Sequence, residues 1–172
     1  MPTAYPHGID DSHAKAGAKR HASWWRLGIL VLILGAALFG LLGGAPAPTH
    51  RVETPAAMLA VTSPDRLRNG MFFETRIAVV AKRPVADAVI AIPAGLWRDS
   101  TVNTIIPAPA SEEFRGGDYR FHFGPLAPGA RLAVKIDGQI NPPRLGRSGG
   151  RIRLLDGEAE LAAVAASLTV IP

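Results

Sequence analysis

The chain has 172 residues, a net charge of +5 from 19 Lys and Arg against 14 Asp and Glu, and no cysteine. That length leaves room for one domain beyond an anchoring segment. Without cysteine, neither disulfides nor thiolate chemistry is available. The charge is mild and mixed in sign, which excludes a nucleic-acid-binding profile.

Residues 1–23 are rich in Ala, Gly, His, Lys and Asp with no apolar periodicity, and read as a disordered cytoplasmic tail. His7, His13 and His21 are spaced too irregularly for a metal site, and no cofactor is expected anywhere in the chain.

Residues 24–45 predict a transmembrane helix. Trp24, Trp25 and Arg26 open it, and from Leu27 to Leu42 there is no charged side chain. A rod of this length spans about 33 Å at 1.5 Å per residue, against a hydrocarbon core of roughly 30 Å. Arg26 can snorkel beside the two indole rings at the interface. Ala45-Pro46-Ala47 fits a small-x-small cleavage pattern, but Pro48 would follow the cut, so an uncleaved anchor is favoured over a signal peptide. Lys15, Lys19, Arg20 and Arg26 precede the span, while only Arg51 and Arg66 follow nearby. This imbalance predicts a cytoplasmic N-terminus and an extracytoplasmic C-terminal domain. Ala36, Gly40 and Gly44 recur every fourth residue, the small-xxx-small spacing of a helix-packing face, so a homodimer through the membrane helix enters the expected partners.

Residues 46–57, with Pro46, Pro48 and Pro55, read as an extended linker. From residue 58 to 172 short apolar runs alternate with Gly and Pro, which predicts strands. They fall at Met58–Thr62, Phe72–Ala81, Val85–Ile92, Thr101–Ile106, Asp118–Phe123, Arg131–Ile140 and Arg151–Leu155. Asp156-Gly157 then signals a hairpin and a return toward Leu168–Ile171. The Ala-rich run 158–167 also suits a helix; the turn favours a strand. Seven or eight strands at about 10-residue spacing predict a mainly β fold, an immunoglobulin-like β-sandwich.

Gly70-Met71-Phe72-Phe73 before an alternating strand, and Ala86-Asp87-Ala88-Val89-Ile90-Ala91-Ile92-Pro93-Ala94-Gly95-Leu96, resemble the Ig-like repeats of bacterial surface proteins. Phe123-Gly124-Pro125-Leu126-Ala127-Pro128-Gly129 is similar to the turn those domains place before a late strand. The resemblance covers residues 58–140 and implies a scaffolding or adhesive role. It carries over no catalytic residue.

Little chemistry is visible. Outside the tail the histidines are His50, in the predicted linker, and His122, on a strand face opposite Tyr119 and Phe121. No nucleophile elbow, phosphate loop or paired-histidine motif occurs. Glu112-Glu113 reads as a solvated pair, and Trp97 as a core residue. Arg144, Arg147, Arg151 and Arg153 form the one charge imbalance, a candidate anion-binding patch for lipid headgroups, acidic polymer or an acidic partner. The expected function is a non-catalytic, membrane-anchored, extracytoplasmic binding or scaffolding module, accessory to another membrane or envelope protein. The alternative is an envelope hydrolase or transferase whose site is not recognisable in sequence.

Overall fold

A computed structural model describes residues 23–42 and 44–172; the predicted tail and its histidines lie outside these apart from Ser23. The described residues divide into two compact units, one ending at Phe39 and one running from Gly40 to Pro172.

In the first unit, helix α1 covers Trp24–Leu38, 15 residues, and none of its side chains is buried. Trp24, Trp25, Arg26 and Leu27 form its first turn, with the Arg26 guanidinium 5.2 Å from the Trp25 ring centroid. The helix is shorter than the 24–45 expected. Phe39 caps it and Gly40 follows at φ +70°, the left-handed geometry that ends a helix. At about 22 Å, α1 falls short of a bilayer core, and among the described residues no helix is long and apolar enough to cross a membrane. Ala36, Gly40 and Gly44 therefore do not share a helix face, since Gly40 and Gly44 lie beyond the helix with positive φ. Leu42 also lies past its end.

Among its described residues the second unit holds eleven strands. In order they are β1 (Thr49–Glu53), β2 (Ala57–Thr62), β3 (Arg66–Arg68), β4 (Phe72–Ala81), β5 (Ala88–Pro93) and β6 (Ser100–Ile106). Then come β7 (Ser111–Arg115), β8 (Asp118–His122), β9 (Arg131–Ile140), β10 (Gly146–Asp156) and β11 (Ala159–Ile171). One sheet runs β1-β2-β4-β9-β6 and the other β3-β11-β10-β5-β8-β7. All pairings are antiparallel except β3 with β11. The two sheets pack through one apolar core, to which Leu59, Ile77 and Ile136 contribute from the first sheet and Ile90, Leu154 and Val164 from the second. A mainly β sandwich is thus what the sequence builds, with eleven strands rather than seven or eight.

Alternation explains the long strands. In β4, Phe73, Thr75, Ile77 and Val79 point inward and Glu74 and Arg76 outward. In β9, Val134, Ile136 and Ile140 are buried between half-exposed Lys135 and Asp137. The Ala-rich return is strand β11, paired to β10 from Asp156↔Ala159 to Gly146↔Val170. Half of the stretch expected to be a linker is sheet: β1 pairs with β2 across a turn that Thr54 closes by accepting from the Ala57 amide at 3.1 Å.

Candidate functional site

The sandwich opens where its sheets end on β6 and β7, which are edge strands of opposite sheets joined by residues 107–110. Here the inner faces part around a groove of about 370 Å³, a volume at the small end of ligand pockets. Trp97, Tyr119 and Phe121 form one wall; Val102, Ile105 and Pro109 face them. Asn103, Thr104 and Glu112 supply polar atoms along the rim.

Each part has a local cause. Register across β6 and β9 jumps from Val102↔Gly138 to Thr104↔Asp137, so Asn103 is the extra residue of a bulge and turns toward the groove. Thr104 is tied outward by donating to the Asp137 carboxylate at 2.8 Å. In β7 and β8, Glu112 lies opposite Phe121 and Phe114 opposite Tyr119, so these four share the inner face. Phe121 is buried in the core, whereas Tyr119 and Phe114 stay 41 % and 62 % exposed. The rings make a tilted series: Phe114 to Tyr119 at 5.2 Å, Tyr119 to Trp97 at 6.1 Å and Trp97 to Phe121 at 6.1 Å. Trp97 is a core residue as expected, only 7 % exposed, yet its edge lines the groove.

Arg144 holds that tryptophan's turn. It is buried, and donates to the Leu96 carbonyl at 3.1 Å, to Ser100 Oγ at 2.7 Å and to Ser148 Oγ at 2.5 Å. Burial, then repulsion from Arg98, pull its guanidinium below the ordinary arginine range, though an arginine keeps its proton at physiological pH. The four arginines of the candidate patch are accordingly not one surface. Arg144 is inside; Arg147 is exposed beside His50, Asp65 and Ser167. Arg151 and Arg153 do share an outer face, but Arg151 pairs with Glu160 at 3.0 Å and Arg153 with Asp118. Their acids come from other strands, which is why a linear stretch of sequence showed only the positive half.

That outer face of the second sheet is a mixed-charge lattice. Glu158 bridges Arg120 at 2.9 Å and Arg115 at 2.6 Å, while Glu113 reaches Arg120 at 3.5 Å. Beneath lie Val89, Ala91 and Leu155, an apolar trio on the outer side of the central strands. Arg120 and Arg153 flank Ala91 in register, and their stems cover it. The Arg120 hydrogen bond, ahead of the nearby Arg115 charge, holds the Glu158 carboxyl below the usual carboxylate range. Glu53, Glu74 and Asp137 are lowered likewise by their Lys or Thr partners. Carboxylates depressed by folding stabilise fully above their unfolded pKa, and that contribution fades as pH falls through the folded value. The thermal midpoint should therefore drop as pH is taken below about 4.5, the ordinary glutamate value. Glu158→Gln should shallow that acid limb; an unchanged acid limb would remove this carboxylate from the account.

His122 meets a carboxylate that the sequence did not reveal. Its Nδ1 lies 2.7 Å from Asp87 Oδ2, and its Nε2 faces Glu113 at 3.7 Å. A histidine oriented by an aspartate supplies two of the three members of a hydrolytic triad. Ser111 stands opposite His122 in the strand pair, but among the described residues no hydroxyl hydrogen-bonds the free ring nitrogen. Asp87 has structural work instead, accepting from the Gly124 amide at 3.2 Å, so the pair ties strand ends together. Among the described residues no group of three or more His, Asp and Glu is arranged to hold a metal ion.

No protein-family model matches the chain, and no curated protein does. Among solved structures it is similar to the CARDB domain of a Pyrococcus furiosus protein in complex with di-metal ions, at 14% identity and TM-score 0.44 over 71% of this chain and 93% of that one. It is also similar to the chitin-binding domain of a Pyrococcus furiosus chitinase, at 15% identity and TM-score 0.41 over 66% of this chain and 100% of that one. Salmonella alpha-2-macroglobulin reacted with methylamine matches at 15% identity and TM-score 0.49 over 76% of this chain and 10% of that one. These are likenesses of fold alone.

Proposed function

We propose that this chain is a non-catalytic binding module, held at a membrane by the segment Trp24–Leu42 and accessory to another membrane or envelope protein. The observation that carries the binding role is the groove at the open edge of the sandwich. Exposed aromatic surface there is flanked by polar groups, the composition by which recognition sites gain both affinity and orientation. Phe114 and Tyr119 keep large ring surfaces in solvent, although inner-face aromatics are ordinarily covered. The tether is supported by chemistry: every side chain of α1 is unburied by its own chain, and Leu27–Leu42 carries no charge. The basic residues ahead of Trp24 support a cytoplasmic N-terminus and an extracytoplasmic sandwich.

Photocrosslinking in intact membranes tests both parts. A photoreactive residue replacing Phe114 or Asn103 should capture a partner, and one replacing Lys82, away from the groove, should not. Equal capture at all three positions, or none at any, would overturn the groove as the binding site. Carbonate washing should leave the full-length chain in the pellet; release would overturn the tether.

A further inference from the structure

Resting on the reading of the groove as a binding site, we infer that its partner is an extended peptide segment that adds as a strand along β7 and carries a basic side chain opposite Glu112. Three observations converge. First, among the described residues β7 pairs with β8 alone and ends its sheet, so there the outward backbone groups of Ser111–Arg115 have no strand partner. It contains no proline and no bulge, whereas β6 across the groove is broken by the bulge at Asn103. An open, regular edge is satisfied by another extended backbone and not by a compact ligand.

Second, the inner face of such a strand would continue an existing surface. Its alternate side chains would lie beside Glu112 and Phe114, one strand out from Tyr119, at the mouth of the groove. Third, the charges choose the partner. Glu113 is engaged by Arg120 and His122, but Glu112 forms no ion pair among the described residues. A lysine or arginine in register with it meets a free carboxylate. A second copy of this chain is disfavoured, because β7 paired antiparallel with itself about Glu113 sets that carboxylate against its twin. The pattern sought is therefore apolar, any, basic, any, apolar.

The test uses the full-length chain in detergent micelles, carrying Trp24→Phe and Trp25→Phe so that Trp97 is the sole indole. Synthetic hexapeptides of the pattern Val-Thr-Lys-Thr-Val-Thr, and the same peptides with Glu for Lys, are titrated against Trp97 emission. The lysine peptide should bind at least tenfold more tightly, and Glu112→Gln should abolish that preference without changing the far-ultraviolet circular dichroism. Methylating the alternate amides that face β7 should prevent binding, while methylating the other set should not. Binding indifferent to charge or to methylation, or a dimer of the chain through β7, would overturn the inference. If no peptide binds but a non-peptide ligand shifts Trp97 emission, strand addition fails and the groove stands as the site.

Discussion

Replacing Arg144 with methionine should lower the stability of the sandwich by about 3 kcal/mol, the scale of stranding buried polar groups, and its thermal midpoint by roughly 10 °C. Methionine fills much of the same space, so the loss isolates the hydrogen bonds from the volume. Without the guanidinium the Leu96 carbonyl, Ser100 Oγ and Ser148 Oγ lose the donors that reach them at 3.1, 2.7 and 2.5 Å. A stranded buried group costs on the order of 1–3 kcal/mol; the Leu96 carbonyl is the buried one, while the partly exposed Ser100 and Ser148 hydroxyls lose less, and Ser148 also donates to the Leu96 carbonyl at 3.4 Å. Lysine should rescue only in part, since it keeps the charge but not the fork that serves three acceptors at once. Ser148→Ala should cost about 1 kcal/mol alone and much less in the Arg144→Met background, because the two share a bond. Arg147→Glu, exposed and three residues away, should stay within about 0.5 kcal/mol. The readout, for these variants and those at Gly138, is unfolding of the Trp24→Phe, Trp25→Phe protein followed at Trp97, whose turn Arg144 holds. An Arg144→Met protein as stable as its parent would make the guanidinium a bystander.

What was legible in sequence follows the same division between groups that alternate locally and groups that meet only in three dimensions. β4 and β9 were readable because one face of each is buried along its whole length, so their period of two is written in residue type. β11 was readable despite its alanines because Asp156-Gly157 returns the chain along β10. β1 and β7 were invisible for the opposite reason. Every residue of β7 is exposed, and β1 has only Val52 half-buried, so neither strand has a hydrophobic face to announce it. β3 has three residues and a parallel partner about a hundred positions away. The groove shares that fate: Trp97 reads as a core residue and Tyr119 as one face of a strand, and only the β7–β8 hairpin brings Phe114 into line with them. The arginine run misled in the complementary way. Linear spacing gave the cations, while Asp118 and Glu160 came from other strands and Arg144 turned inward. The helix ends before the apolar run does because Gly40 adopts positive φ, which hydropathy does not register.

Gly138→Ala should cost about 1–3 kcal/mol by overpacking, and Gly138→Val should cost more. The position lies in mid-strand in β9, between Phe73 of β4 and Val102 of β6. Its φ is not in the left-handed region, so the requirement for glycine is one of space and not of backbone conformation. A Cβ there would sit 2.6 and 2.9 Å from two atoms of the Phe73 ring and 2.9 Å from the Thr101 carbonyl oxygen. Phe73 lies across the bare glycine backbone, where a side chain of β9 would otherwise stand. The ring can swing, but it is 8 % exposed and packed in the core; the Thr101 oxygen belongs to the backbone and moves only with β6. Two relief routes therefore give different signatures. In a Phe73→Leu background the alanine should cost distinctly less than in the parent, a coupling of about 1 kcal/mol between neighbours sharing one space. The residual cost should appear at the groove, because shifting Thr101 displaces Val102 and Asn103, which line it. Denaturant unfolding of the four proteins of that cycle measures the first, and Trp97 emission of the folded state the second. Additive costs with unaltered emission would mean that the ring and the strand both accommodate the methyl freely, and that the close fit of Phe73 on Gly138 does not shape the edge where the partner is expected to dock.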